Sequence, residues 1–282
     1  MKLATLTTIL GSAAILWAAS TLTQTAQAFE LTNPIYGIDA VGDGSGASAT
    51  DMSYDIRGIA MTTIGKDAIV AITANMPLTG NTYNKTNIGW GDLFFNFTGN
   101  NFNAAQGNLF GIRFSGTNDS KVSAGVYSNV TAVSVTGQNY GYSSLNQYYT
   151  ENGGHYNKAD TQGSAIATES AAYDYYGKNG PIQNVIGSGT RIGDVAMLSL
   201  ADLASAGLNF GSNAGSYTFG FKFDSSLLPD GNFLSNLYLE CGNDGVALAG
   251  TSQSVPEPSP LAGVVLVGAG MMYARRRRRQ LA

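Results

Sequence analysis

The stretch Ser216-Tyr217-Thr218-Phe219-Gly220-Phe221-Lys222-Phe223 carries an aromatic residue at every second position, and no other feature of the chain restricts its fold as strongly. Successive side chains of an extended backbone point to opposite faces. Tyr217, Phe219, Phe221 and Phe223 therefore share one face of a strand, and Thr218, Gly220 and Lys222 the other. Four adjacent rings need burial, which a single sheet in water cannot supply, so a second layer must cover them. Period-two or β-rich runs also predict strands over residues 68–74, 93–97, 109–114, 126–136 and 234–240, with two weaker ones over 54–60 and 191–200. Helical spacing is limited to 199–208, where Leu200, Leu203, Ala204 and Leu208 allow one or two turns. Seven or eight strands separated by Gly, Asn and Pro turns predict an all-β fold, an antiparallel β-sandwich or jelly roll. A β-helix would need a short repeat, and the Gly-Asn pairs recur at uneven intervals. Glycine-rich nucleotide-binding motifs are absent from the sequence.

Composition narrows the chemistry. Only 12% of the 282 residues are charged, Gly occupies 36 positions and Asn 23, and Cys241 and His155 are the single cysteine and histidine. A disulfide framework, a cysteine zinc site and a histidine cluster are thereby excluded. The formal charge of −4 includes Lys2 and five arginines near the C-terminus. Without these and Glu257, the body has nine basic and eighteen acidic residues, or −9, and no basic stripe. Nucleic acid is therefore not an expected partner.

Both ends are organised for transport. Residues 1–28 join Lys2 to an apolar stretch around Ile9, Leu10 and Ala13 to Ala19, and close on Ala26-Gln27-Ala28. This is the pattern of a signal peptide cut by signal peptidase, leaving Phe29 as the first mature residue. The tail, residues 251–282, contains Pro256-Glu257-Pro258, an apolar run over 261–273, and the cluster Arg275, Arg276, Arg277, Arg278 and Arg279. Thirteen apolar residues make a helix of about 20 Å, a short transmembrane span against a hydrocarbon layer of about 30 Å. The arginines would hold its end on the cytoplasmic side. This order of parts resembles the PEP-CTERM sorting signal of bacterial and cyanobacterial surface proteins. The resemblance implies an exosortase as partner, cleavage near the Pro-Glu-Pro motif, transient anchoring in the inner membrane, and delivery to the outer cell surface or extracellular matrix in an exopolysaccharide or biofilm setting. Trp90-Gly91-Asp92-Leu93-Phe94-Phe95-Asn96-Phe97, the distal Phe219 to Phe223, Leu228-Pro229-Asp230-Gly231-Asn232-Phe233 and Glu240-Cys241-Gly242-Asn243-Asp244 more loosely resemble a cyanobacterial family of exosortase-dependent surface proteins.

Within the body, 29–250, residues 137–189 depart from the strand pattern and read as an insertion that holds eight of the fifteen tyrosines. Tyr140, Tyr142, Tyr148, Tyr149, Tyr156, Tyr173, Tyr175 and Tyr176, with His155 and nearby amides, form a possible ligand surface, because rings beside amides suit sugar faces and protein partners alike. Asp39, Asp43 and Asp244 lie in Gly-rich turns and are weak candidates for a structural calcium site, although their spacing is not that of an EF-hand. No nucleophile motif accompanies His155, and Asp92, Asp119, Glu151, Glu169 and Glu240 are at most a pool of carboxylates for a glycoside hydrolase. Trp90 reads as a core plug. The expectation is an exported, non-catalytic surface or matrix protein, structural or adhesive, with a carbohydrate-binding module as the alternative and a secreted hydrolase behind it.

Overall fold

The computed structural model describes residues 28–44, 52–152 and 165–255. Their strands build two main antiparallel sheets. The larger runs in the order β1 (Ala28–Glu30), β14 (Gly245–Val255), β13 (Gly231–Tyr238), β7 (Leu93–Asn96), β8 (Leu109–Arg113), β9 (Gly125–Val133) and β10 (Val185–Gly193). The smaller runs β11 (Ala196–Leu198), β12 (Tyr217–Asp224), β4 (Asp67–Ala74), β3 (Ile56–Ile64) and β2 (Ile35–Ile38). A separate hairpin joins β5 (Asn81–Tyr83) to β6 (Thr86–Ile88) through Asn84 and Lys85, whose φ values of 46° and 69° fit a two-residue hairpin turn.

Aromatic and β-branched side chains form these strands because one face of each can be buried against the opposite sheet. One apolar core takes Ile59, Met61, Val70, Ile72, Phe219, Phe221 and Phe223 from the smaller sheet and Leu93, Phe95, Ile112, Phe233, Leu237, Val246 and Leu248 from the larger. Ring pairs bridge the layers. Phe114 stacks on Phe221 with centroids 4.8 Å apart, Trp90 meets Phe219 edge-on at 5.1 Å, and Phe95 lies 6.4 Å from Phe223. Trp90 is fully buried and donates its indole N–H to the Pro77 carbonyl, in keeping with a core plug rather than a sugar platform.

The outer faces are also covered. On the larger sheet, Phe94, Leu109, Tyr127 and Ile186 pack with Phe102, while Tyr238 and Ala247 lie under α1 (Leu145–Asn152) and α2 (Glu169–Tyr176). On the smaller sheet, Ala60, Ile69 and Ala71 meet Leu203 of α3 (Leu200–Ser205) together with Leu208 and Phe210. Ser199 caps α3 by accepting the Asp202 N–H, and the Asp202 carboxylate accepts the Ser199 N–H, a reciprocal capping box. Gly220 is needed beneath α3, because a Cβ there would meet Leu203 at 2.7 Å and the Val70 carbonyl oxygen at 2.4 Å.

Several expectations change. The aromatic strand is present as β12, but Tyr217 stays 47% exposed and lies outside the shared core, so three of the four rings are buried together. The polar face of β12 is not simply solvated, since α3 packs on it at Gly220 and Lys222 pairs with Asp67 at 2.6 Å. The segment 191–200 is divided between two sheets as β10 and β11. The segment 137–189, which departs from the strand pattern, is built into the fold: its described part forms a 3-10 turn (Thr136–Asn139), α1, α2 and the start of edge strand β10. The body also continues past residue 250, because β14 runs to Val255 and pairs with β1. Residues 1–27 of the expected signal segment 1–28, and the expected tail from residue 256 with its transmembrane run, lie outside the described residues. Among the described residues, no helix is long and apolar enough to cross a membrane.

Candidate ligand cleft

Three pieces of chain converge beside the turn between β13 and β14. The 3-10 turn Thr136–Asn139 ends at Tyr140, which has a φ of 56°, and Gly141 then lies flat against Cys241. A Cβ at Gly141 would fall 1.7 Å from the Cys241 carbonyl oxygen, so only glycine allows this approach. The Tyr142 N–H donates to the same oxygen at 3.3 Å. Opposite stands the β5–β6 hairpin, which carries Tyr83 and Ile88, and α1 closes a third side with Gln147 and Glu151.

The result is an open cleft of about 350 Å³ walled by Tyr54, Tyr83, Tyr140 and Tyr142. Tyr83 and Tyr140 meet edge to face, with centroids 5.3 Å apart, and are 38% and 56% exposed. Polar groups sit among the rings. Gln147 donates from Nε2 to Glu151 Oε1 at 2.9 Å and accepts from the Ser143 N–H and hydroxyl. Asn139 donates through Nδ2 to Asp119 Oδ2 at 2.9 Å and to the Val135 carbonyl at 3.0 Å, while its buried Oδ1 has no hydrogen-bond partner among the described residues. A second hollow, of about 550 Å³ beside α3, is lined mainly by Leu200, Leu203, Leu208 and Phe210 and has no charged group.

Behind the cleft, Glu240 ties its two walls together. Its fully buried carboxylate accepts the Gly89 N–H at 2.8 Å, just past β6, and the Asp119 N–H, from which the Asn139 bond leads to Tyr140. Burial pushes the Glu240 carboxyl up to about 7. Asp92, also buried, accepts from Asn118 at 2.8 Å and from the Ser120 hydroxyl and the Ile186 N–H, both at 2.6 Å, and burial pushes it up to about 6. Cys241 is buried, its thiol raised to about 12 by the same cause, as suits a small apolar core residue.

The sequence candidates separate into groups. Tyr140 and Tyr142 line the cleft, whereas Tyr148 and Tyr149 are buried in the cluster under α1, so the ligand-surface reading is corrected for that pair. Tyr173, Tyr175 and Tyr176 pack around the same cluster, with Tyr176 against Tyr238 at 5.1 Å, and hold α2 on the sheet. Helical spacing of Leu145, Tyr148 and Tyr149 turns those rings inward. His155 and Tyr156 lie outside the described residues. Tyr54 and Tyr83 were not singled out from sequence. Asn84 after Tyr83 was the available signal for a hairpin tip, though Asn-Lys marks such a turn less strongly than Asn-Gly.

Asp39, Asp43 and Asp244, more than 200 residues apart at their extremes, are brought together with one carboxylate oxygen from each within 4.8 Å of the others, all buried. Asp244 accepts the Ile56 N–H at 2.6 Å and the Gly245 N–H at 2.7 Å, while the Tyr148 hydroxyl donates to the Asp43 carbonyl at 2.9 Å. Burial and then the neighbouring Asp43 raise the Asp39 and Asp244 carboxyls well above the usual range. Three carboxylates offer part of the six to eight oxygens that Ca²⁺ takes. The cluster also joins the loop after β2, the entry to β3 and the turn before β14.

Comparison with protein-family models, curated proteins and solved structures returns no match to this chain, so its function is argued from its own residues.

Proposed function

We propose that this chain is an exported, exosortase-processed protein of the cell surface or extracellular matrix, non-catalytic and structural or adhesive, with a β-sandwich body released from a short transmembrane anchor. The observation that carries this reading is the pairing of the first and last strands. Ala28 stands opposite Val255, Phe29 opposite Ser254 and Glu30 opposite Gln253. The proposed cuts would therefore fall at neighbouring strand ends on one sheet, with the described strands between them. Phe29, the first residue after the proposed signal-peptidase cut, is fully buried against Phe233 at 5.6 Å and Phe97 at 6.5 Å. Cutting at Ala28 and near Pro256 would leave the two-sheet core intact.

The non-catalytic part rests on how the acids are used. Glu151 is the one carboxylate that lines the tyrosine cleft among the described residues, and the buried Asp92 and Glu240 carboxylates hold backbone amides. End-sequencing and mass spectrometry of the protein from fractionated producing cells test the reading. The expected species begins at Phe29, ends near Pro256 to Pro258 and resides in the surface or extracellular fraction. A chain retained inside the cell with both termini intact would overturn it.

A further inference from the structure

We infer that the Tyr83–Tyr140–Tyr142 cleft is a binding site for a neutral saccharide. Three independent features point there. First, Tyr140 combines a left-handed backbone, unfavourable for a bulky residue, with a ring that remains 56% exposed. Folding recovers little of that strain through burial, since the ring stays more than half exposed and meets the Tyr83 ring only edge-on, at 5.3 Å. Second, the cleft volume of about 350 Å³ falls in the range of small-ligand sites and suits one or two sugar rings. Third, the lining is amphipathic: phenol faces for sugar C–H groups stand beside Gln147 and Glu151, which take and give hydrogen bonds to hydroxyls.

Charge selects the class of sugar. Among the described residues, Glu151 is the only ionisable group besides the tyrosines and Cys241 on the wall, and the body carries −9, so uronic-acid and sulfated chains are repelled while neutral hexoses are not. The Glu240 network ties the two tyrosine-bearing walls to each other at a fixed spacing, as a preformed site requires. The inference follows from the cleft alone and stands whether or not the chain is exported.

Saturation-transfer NMR on the full purified chain, in buffer free of glycoside detergent, tests it with cellotetraose, maltotetraose, mannotetraose and a galacturonate tetramer. At least one neutral tetramer should bind saturably with a Kd between about 10 μM and 1 mM. Tyr83→Ala and Tyr140→Ala should each weaken that binding about tenfold or more, Tyr140→Phe less than about threefold, and Tyr217→Ala, at an exposed ring elsewhere, not measurably. Unchanged thermal unfolding of Tyr140→Ala would separate ring loss from misfolding. No saturable binding by any neutral tetramer up to about 10 mM, equal binding after both cleft substitutions, or tightest binding by the galacturonate would overturn the inference.

Discussion

Replacing Phe221 with alanine tests the layer arrangement at its centre. The Phe221 side chain is fully buried, its ring stacked on Phe114 at 4.8 Å and 12°, and its backbone sits between Val70 of β4 and Met197 of β11. Truncation to Ala withdraws roughly 100 Å² of apolar surface from burial, about 2.5 kcal/mol at 25 cal/mol per Å². The lost ring pair adds about 0.5–1.5 kcal/mol, and an unrelaxed cavity more, giving about 3–5 kcal/mol in all. Tyr217→Ala, on the same face of the same strand, removes a ring that is 47% exposed and should cost about 1 kcal/mol or less. Lys222→Ala breaks only a half-exposed pair with Asp67 and should cost about 0–1 kcal/mol. Urea unfolding of the three purified variants reads the differences directly. With a slope of about 2 kcal/mol per molar, Phe221→Ala should lower the midpoint by about 1.5–2.5 M and the others by less than about 0.5 M. Equal, small shifts for Phe221→Ala and Tyr217→Ala would refute the buried-strand argument, because the alternation would then not decide which rings face the second sheet.

The raised carboxyls give a pH dependence of defined sign. Asp92 at about 6 and Glu240 at about 7 hold protons in the folded state that the unfolded chain releases near pH 4, so stability should be greatest below that and fall as pH rises from 4 to 7. Asp92 alone accounts for up to about 3 kcal/mol, and Asp92→Asn should flatten the corresponding part of a stability profile; stability rising steadily over that window would contradict the assignment. Gly141→Ala should drive the cleft loop off Cys241, costing about 2 kcal/mol or more and weakening sugar binding, as calorimetry and the NMR titration would register; a neutral substitution would mean the loop is not held there. Serines in place of Arg275 to Arg279 should reduce inner-membrane retention and tail processing, measurable by fractionation, and unchanged processing would remove the stop-transfer role.

Local pattern settled much of this protein. Period-two or β-rich runs located β12, β4, β7 and β8, and the spacing of Leu200, Leu203 and Ala204 marked α3, because strand faces and helix stripes depend on residues close in sequence. The acidic turns and the tyrosine-rich segment were also legible as places of interest. Tertiary structure decided what each became. Tyr148 and Tyr140 have the same side chain eight positions apart, yet the first is buried under α1 and the second stands in the cleft, because α1 presents one face to Tyr238 while Tyr140 ends a 3-10 turn in a left-handed conformation. Short edge strands such as β1 and β2 have too few residues to show a period, and they exist through partners in β14 and β3. Asp39 and Asp244 meet across more than 200 residues, and Tyr83 faces Tyr140, only once the sheets have packed. Sequence patterning fixes which side of a strand is apolar; the packing of distant strands fixes which polar and aromatic groups remain to make a site.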